Sequence, residues 1–104
     1  MMYTLKVLPS VRKETIKIRD YIAEDLCNVP AAISLMEDIQ KAYTLIKDNP
    51  NAFSRFNFEK ELKHEYRKKI VNGYVILYWV DEAKKIVTVS FIFHSKMNYK
   101  LRIF

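Results

Sequence analysis

The most constraining part of the sequence is residues 66–98, where two apolar runs follow an Asn-Gly pair. The runs Tyr74–Val80 and Ile86–Phe93 are rich in β-branched and aromatic residues, which suit the packed surface of a sheet. Asn72-Gly73 tolerates the positive φ angles of a type I′ turn, so Tyr66–Val71 is predicted to fold back onto the first run. A five-residue turn then separates the two runs, and the whole stretch predicts a three-stranded antiparallel meander.

The preceding half of the chain predicts one strand and two helices. Residues 3–8 alternate in polarity up to Pro9, which cannot donate to a sheet ladder and ends the strand. Two stretches then repeat apolar residues every three or four positions, and Pro30 suits the first turn of the second helix. The first stripe is Val11, Thr15, Ile18, Ile22 and Leu26, and the second is Ala32, Leu35, Met36, Ile39, Ala42, Tyr43 and Ile46.

These elements predict an α+β fold in a single domain over residues 1–104: a strand, a long helical hairpin, then the antiparallel meander. The hairpin has to bury its apolar stripes against the sheet. In the last strand, alternation predicts that Val87, Val89, Phe91 and Phe93 face the helices, and that Thr88, Ser90, Ile92 and His94 face away. Ile70 is also predicted to point into the core.

The net charge of +6 is unevenly distributed. Residues 1–52 carry seven basic and seven acidic side chains, whereas residues 53–104 carry eleven basic and five acidic ones. The excess therefore lies on the half that forms the meander, where Arg67-Lys68-Lys69 is the densest run. A one-sided basic field attracts acidic or phosphate-bearing partners, although a solvated lysine surface has the same composition.

Cysteine, histidine and hydropathy exclude several classes of protein. A single cysteine, Cys27, permits no internal disulfide and predicts a reducing, cytoplasmic context, with the side chain buried or half-buried. No run approaches the roughly 20 apolar residues of a membrane span, so no membrane association is expected. His64 and His94 lie thirty residues apart and Cys27 is distant, so neither a metal site nor a cofactor is predicted.

The order of elements resembles the RelE/ParE superfamily, the toxins of bacterial type II toxin–antitoxin modules. The helical half, IKIRDYIAEDL followed by AAISLMEDIQKAYTLIKDNP, resembles the long helical hairpin of ParE proteins, which closes with Asn-Pro. The second half resembles the shared core: a basic strand, Gly-Tyr, an apolar strand, an Asp-Glu turn, a second apolar strand and a histidine. The resemblance covers nearly all of residues 3–99 and implies a toxin that arrests growth.

One activity implied by the resemblance is ribosome-dependent mRNA cleavage, as in RelE-like members. That chemistry needs a base for the ribose 2′-hydroxyl, positive charge for the phosphate and an acid for the leaving oxygen. The matching catalytic candidates are His94, Arg67, Lys69, Lys96 and Tyr99. The pattern departs from the family at Val75 and at Lys96 or Met97, where RelE-like enzymes carry arginine.

The alternative implied by the resemblance is inhibition of DNA gyrase by binding, as in ParE-like members, through the helical hairpin and the C-terminal tail 100–104. A third possibility is a non-toxic protein that keeps the fold, has lost the activity and acts only as a binding protein. In each case the expected partner is a cognate acidic antitoxin that neutralises the basic half, in a hetero-oligomeric complex. The ribosome with its mRNA, or gyrase, is the further partner.

Overall fold

A computed structural model of the chain describes residues 2–57 and 63–97. Within these ranges a four-stranded sheet is packed against two helices. The strands are β1 (Thr4–Val7), β2 (Arg67–Val71), β3 (Tyr74–Asp81) and β4 (Ile86–His94), and the helices are α1 (Pro9–Asp20) and α2 (Val29–Asp48). A π-helical turn, Tyr21–Asp25, extends α1, and a 3₁₀ turn, Pro50–Ala52, follows α2. The predicted α+β class and element order are confirmed.

The sheet has the strand order β1-β4-β3-β2, with β1 parallel to β4 and the other pairs antiparallel. The β2–β3 hairpin turns at Asn72 and Gly73, whose φ angles of 48° and 84° are both positive. A type I′ turn requires this pair of angles, so the prediction from Asn-Gly is confirmed. Because β1 is four residues long, it pairs only with the first half of β4.

An irregularity in β4 overturns the predicted faces of its second half. Leu77 pairs with Phe91 and Tyr78 with Val89, so Ser90 is an extra residue, a β-bulge. Val87 and Val89 face the helices as predicted, and beyond Ser90 the alternation is inverted. Ile92 therefore packs with the helices, while Phe91 and Phe93 pack on the opposite, outer face of the sheet.

The main core lies between the helices and the sheet. Its least exposed members include Ile39, Ile46, Ile76 and Tyr78, each at most 1 % exposed. Fully burying one aliphatic side chain of this size contributes roughly 1.5–3 kcal/mol, so this layer provides most of the stability. The predicted stripe of α2 is confirmed, but Leu26, predicted to continue the stripe of α1, is 55 % exposed because the π-helical turn ends before it.

Helix boundaries follow local capping chemistry. The first helix begins at Pro9 rather than after Ser10, since proline is tolerated where helical N–H groups have no intrahelical partner. In α2 the side chain of Asn28 accepts a hydrogen bond from the N–H of Ala31 at 3.2 Å, and Pro30 lies in the first turn as predicted. Cys27, between the helices, is exposed, so its predicted burial is wrong.

Residues 50–56 form a strap that runs from the end of α2 to the edge of β2. The backbone N–H of Lys68 donates to Ser54 O at 2.9 Å, and the N–H of Phe56 donates to Tyr66 O at 2.8 Å. Phe53 packs on the main core, and Phe56 packs on an outer cluster with Val75, Leu77 and Phe93. The strap thus connects the two apolar layers through Phe53 and Phe56.

One prediction on the outer face is wrong. Ile70 pairs with Val75, shares its outer face and is 56 % exposed rather than in the core. His64 is half-buried and stacks on Trp79 with ring centroids 3.6 Å apart. The sequence of residues 59–64 also predicts a short helical turn, which lies for the most part outside the described residues. Within the described ranges, no helix combines the length and hydropathy needed to cross a bilayer.

Candidate functional site

Arg67 and Lys69 lie on the helix-facing side of β2, next to the strap. Their partners across the hairpin are Tyr78 and Ile76, both core residues, and opposite residues of an antiparallel pair share a face. The guanidinium of Arg67 donates from Nη1 to Phe53 O at 2.6 Å, and the ammonium of Lys69 lies 4.8 Å from the centre of the Phe53 ring. Both cations are half-buried and contact the strap.

The same end of the sheet holds a buried phenol. Tyr78 is fully buried, and its hydroxyl donates to Pro50 O at 2.6 Å. Burial disfavours the phenolate and raises the pKa of Tyr78 to about 12, against a smaller opposing effect of Arg67. Two hydrogen bonds from the sheet, one from Tyr78 and one from Arg67, therefore fix two carbonyls of the strap, those of Pro50 and Phe53.

His94 and Lys96 lie at the opposite end of the sheet, where β4 ends. His94 is exposed and is paired with Tyr74, with their rings 5.2 Å apart in an edge-to-face arrangement. Its Nδ1 accepts a hydrogen bond from the backbone N–H of Lys96 at 3.2 Å. The ring of His94 is thus engaged with the turn that follows the strand.

The predicted catalytic residues form two separate pairs. Arg67 is opposite Tyr78 and His94 is opposite Tyr74, so four residues of β3 separate the two positions. At about 3.3 Å per residue this is roughly 13 Å along the strand, far beyond the reach of one phosphate. Tyr99 lies outside the described residues. The structure brings Arg67 near Lys69 and His94 near Lys96, but it does not bring the two pairs together.

The positions where arginine is expected for mRNA cleavage differ in their surroundings. Val75 is 6 % exposed and belongs to the outer cluster, so an arginine there would require a rearrangement of that layer. Met97 is 37 % exposed on the turn after β4. The outer face near Val75 is apolar and aromatic, with Phe56, Tyr66 and Phe91 packed around it. Burial of a cation in such a layer without a partner is costly.

A groove along the helical hairpin is the main surface feature that the sequence did not reveal. Three consecutive cavities of about 290, 270 and 430 Å³ run from the start of α2 to the edge of β1. The first two share Met36, and the second and third share Val7, Arg12, Gln40 and Tyr43. The lining of α2 spans Val29 to Lys47, about 27 Å of helix at 1.5 Å per residue.

The groove changes character along its length. At the α2 N-terminal end it is apolar, with Val29 and Ile33 each more than half exposed. At the β1 end the described residues that line it include Arg12 and Lys47 and no acidic side chain. Burial raises the pKa of Tyr43 there, while Arg12 and a hydrogen bond with Thr15 act in the opposite direction. An apolar trough thus leads into a cationic one.

The β1 end of the groove also offers backbone hydrogen-bonding groups. The N–H of Thr4 donates to Lys85 O, just before β4, at 2.9 Å, and the N–H of Leu8 donates to Val89 O in β4 at 3.1 Å. Because successive residues of a strand point their backbone groups to alternate sides, Leu5 and Val7 direct theirs toward the free edge of β1, the side on which no strand of the described ranges pairs with it. Helical periodicity predicted α1 and α2. It did not predict the groove, because the groove depends on how the two helices pack beside β1.

Comparison with known proteins identifies the fold and the family. A ParDE toxin–antitoxin structure from P. aeruginosa is similar over 91 % of this chain and 98 % of that one, with a TM-score of 0.71 and 15 % identity. An archaeal RelE–RelB complex from Pyrococcus horikoshii OT3 covers 92 % and 98 %, with a TM-score of 0.60 and 12 % identity. A free mutant of E. coli RelE covers both chains fully, with a TM-score of 0.59 and 18 % identity.

These likenesses place the chain among RelE/ParE-like toxin folds. No curated protein matches the sequence itself. The sequence model of the ParE toxin of type II toxin–antitoxin systems, parDE, matches residues 5–99. The chain therefore belongs to the ParE toxin family.

Proposed function

We propose that this toxin arrests growth by binding its target, with DNA gyrase as that target, and not by cleaving mRNA. The observation that carries the proposal is the commitment of Arg67 and Lys69 to the strap. A phosphate bound there would have to share the guanidinium of Arg67 with Phe53 O, which already holds Nη1 in a half-buried position. Membership of the ParE family supports the same conclusion, since ParE-like proteins act on gyrase.

The geometry of the charged residues also weighs against a nuclease. Cleavage of RNA requires an acid, a base and phosphate-binding cations around a single scissile bond. Arg67 and His94 occupy positions roughly 13 Å apart along the sheet, too far for both to contact one scissile bond. An inhibitor that acts by binding has no such requirement, because its contacts can be spread over a surface of several hundred Å².

Cleavage of mRNA remains the second candidate because of one observation. His94 and Lys96 are both exposed at the same turn, so an imidazole and an ammonium could face one substrate. In that case the acid–base group is His94, and the other charges would be supplied by residues of the ribosome. The two candidates differ in whether the proton-transfer capacity of His94 is required.

The groove along the hairpin is proposed as the binding site for the antitoxin. Its apolar half, about 12 Å of α2 from Val29 to Glu37, fits the apolar face of roughly two turns of an amphipathic helix. Its cationic half, beside the free edge of β1, fits an extended segment that carries acidic side chains and adds to the sheet. The solved ParDE and RelE–RelB complexes are toxin–antitoxin pairs of the same fold, which supports a partner of this kind.

Pulse labelling after induction tests the target. If gyrase is the target, DNA synthesis stops before protein synthesis, and the purified toxin inhibits supercoiling by purified gyrase. If protein synthesis collapses first and the toxin cleaves mRNA on purified ribosomes, the nuclease is correct and the proposal fails. If growth continues in the absence of an antitoxin, the protein has kept the fold, is not toxic and acts only as a binding protein.

The antitoxin site is tested by reversing charge in the groove. Arg12→Glu with Lys47→Glu should weaken the toxin–antitoxin complex at least tenfold while growth arrest persists. Lys13→Glu with Lys17→Glu makes the same change in charge on exposed residues of α1 that do not line the groove, and it should leave affinity within about twofold. Equal losses in the two double variants would indicate a general electrostatic effect and exclude the groove.

A further inference from the structure

The chain leaves β4 through a tight turn that is closed by the last side chain of the strand. The N–H of Ser95 donates to Gly73 O at 2.8 Å, and the N–H of Met97 donates to His94 O at 2.9 Å. Between them, the N–H of Lys96 donates to Nδ1 of His94 at 3.2 Å. Three consecutive backbone donors of the turn are thus satisfied, and one of the acceptors is an imidazole nitrogen.

This arrangement is chemically equivalent to an Asx turn. Asn and Asp close such turns by accepting, through the side chain, the N–H of the residue two positions later. His94 and Lys96 have the same spacing. A neutral imidazole accepts at one nitrogen and donates at the other, so acceptance at Nδ1 places the proton on Nε2. That nitrogen lies on the Gly73 side of the ring, where a Cβ on Gly73 would be 3.7 Å away.

We propose that His94 is a positioning residue whose Nδ1 acceptor fixes the Ser95–Met97 turn and so presents Lys96 and Met97 to the target. Both side chains are exposed, one cationic and the other apolar and flexible, a combination suited to a protein surface. The inference rests on the proposed function for its target, but the turn itself is independent of any target. The role proposed for His94 requires the lone pair on Nδ1 and no proton transfer.

Three substitutions separate an acceptor from an acid–base group. His94→Asn keeps an acceptor at the correct distance from the backbone but cannot transfer protons near neutral pH. His94→Gln moves the acceptor one methylene further, and His94→Ala removes it. With purified gyrase, His94→Ala and His94→Gln should inhibit supercoiling roughly five- to tenfold less well, the effect of one lost hydrogen bond. His94→Asn should restore inhibition to within about twofold of the unsubstituted toxin.

The turn is monitored separately through the Lys96 amide. Its hydrogen exchange should be at least tenfold faster in His94→Ala than in the unsubstituted protein, and His94→Asn should restore protection. Circular dichroism of each variant verifies the fold, so that loss of inhibition reflects the turn and not unfolding.

Two outcomes would overturn the proposal. If His94→Asn is as inactive as His94→Ala while Lys96 is protected, the imidazole itself is needed and a chemical role follows. If all three variants inhibit gyrase as well as the unsubstituted toxin does, or if the exchange of the Lys96 amide is the same in all of them, the turn does not position a binding surface. A toxin that fails to inhibit gyrase in any form refutes the target, whereas the exchange of Lys96 still tests the turn.

Discussion

The two ends of the sheet differ in how their polar side chains are used. At the end where β2 begins, Arg67 and Tyr78 donate to carbonyls of the strap and are half-buried or buried. At the end where β4 stops, His94 and Lys96 are exposed, and the imidazole contacts its own turn and Tyr74. We call these the closed end and the open end.

The difference shows that a cationic residue type does not by itself define a binding site. Arg67 belongs to the densest basic run in the chain, yet its guanidinium serves the packing of residues 50–53. A half-buried cation that already has a carbonyl partner has less to gain from a ligand than a solvated one. The open end, which carries less charge, is more available to a partner.

The largest expected effect is at the closed end, in Tyr78→Phe. Removal of the hydroxyl leaves the carbonyl of Pro50 without its donor in a buried environment, which should cost about 2 kcal/mol of unfolding free energy. Because the folded state holds the Tyr78 proton up to about pH 12, the unsubstituted protein loses stability as pH rises from 10 towards 12. Denaturant titrations at pH 7 and across this range measure both effects. If Tyr78→Phe is as stable as the unsubstituted protein and loses stability equally between pH 10 and 12, the Tyr78 hydroxyl does not stabilise the closed end.

Arg67→Ala should be next, at about 1.5 kcal/mol, because it removes a charge-assisted bond from a half-buried side chain. Arg67→Lys, with no planar fork, should recover only part of this loss. Thermal unfolding gives the stabilities, and growth arrest is compared at equal levels of folded toxin. Loss of arrest in a fully stable Arg67→Ala protein would show that this cation contacts the target, and the distinction between the ends would fail.

At the open end, Gly73→Ala should cost about 1 kcal/mol. The φ angle of 84° is in the left-handed region that L-residues disfavour, whereas the added Cβ would meet His94 Nε2 at an ordinary distance of 3.7 Å. The loss should therefore come from the backbone and not from a clash. Combining Gly73→Ala with His94→Ala tests this: the two stability losses should be additive, and strong non-additivity would indicate a steric origin.

The smallest effect is expected for Glu82→Gln, and it depends on pH. Glu82 accepts from Lys85 at 2.7 Å and from Asn51 at 2.9 Å, with the Tyr3 hydroxyl at 3.1 Å, and these bonds lower its pKa from 4.5 to about 2. A lowered folded pKa gives stability that is present above pH 4.5 and lost as pH falls towards 2. The variant should thus be slightly less stable at pH 7 and indistinguishable at pH 2. A constant difference across this range would assign the loss to packing.

The elements of the fold were predictable because their signals are local. Asn72-Gly73 specified the hairpin through backbone angles, and the spacing of the apolar residues in α2 specified its buried face. Ile70 was placed wrongly because alternation gives two sets of residues without saying which set faces the helices. The candidate site was less predictable, since the separation of Arg67 from His94 depends on strand register and on the position of the strap.

The bulge at Ser90 has a consequence beyond the packing of β4. Because Ser90 is unpaired, every later side chain of β4 lies on the face opposite to the one that regular alternation would give, while the strand continues in the same direction. His94 owes its place beside Tyr74 to that single residue. If β4 had the same length and paired with β3 without the bulge, the histidine would lie in the outer layer, and two toxins of one fold could thus differ in which layer carries it. In two related toxins, histidines at the same sequence distance from the Gly-Tyr pair can therefore lie in different layers of the sheet.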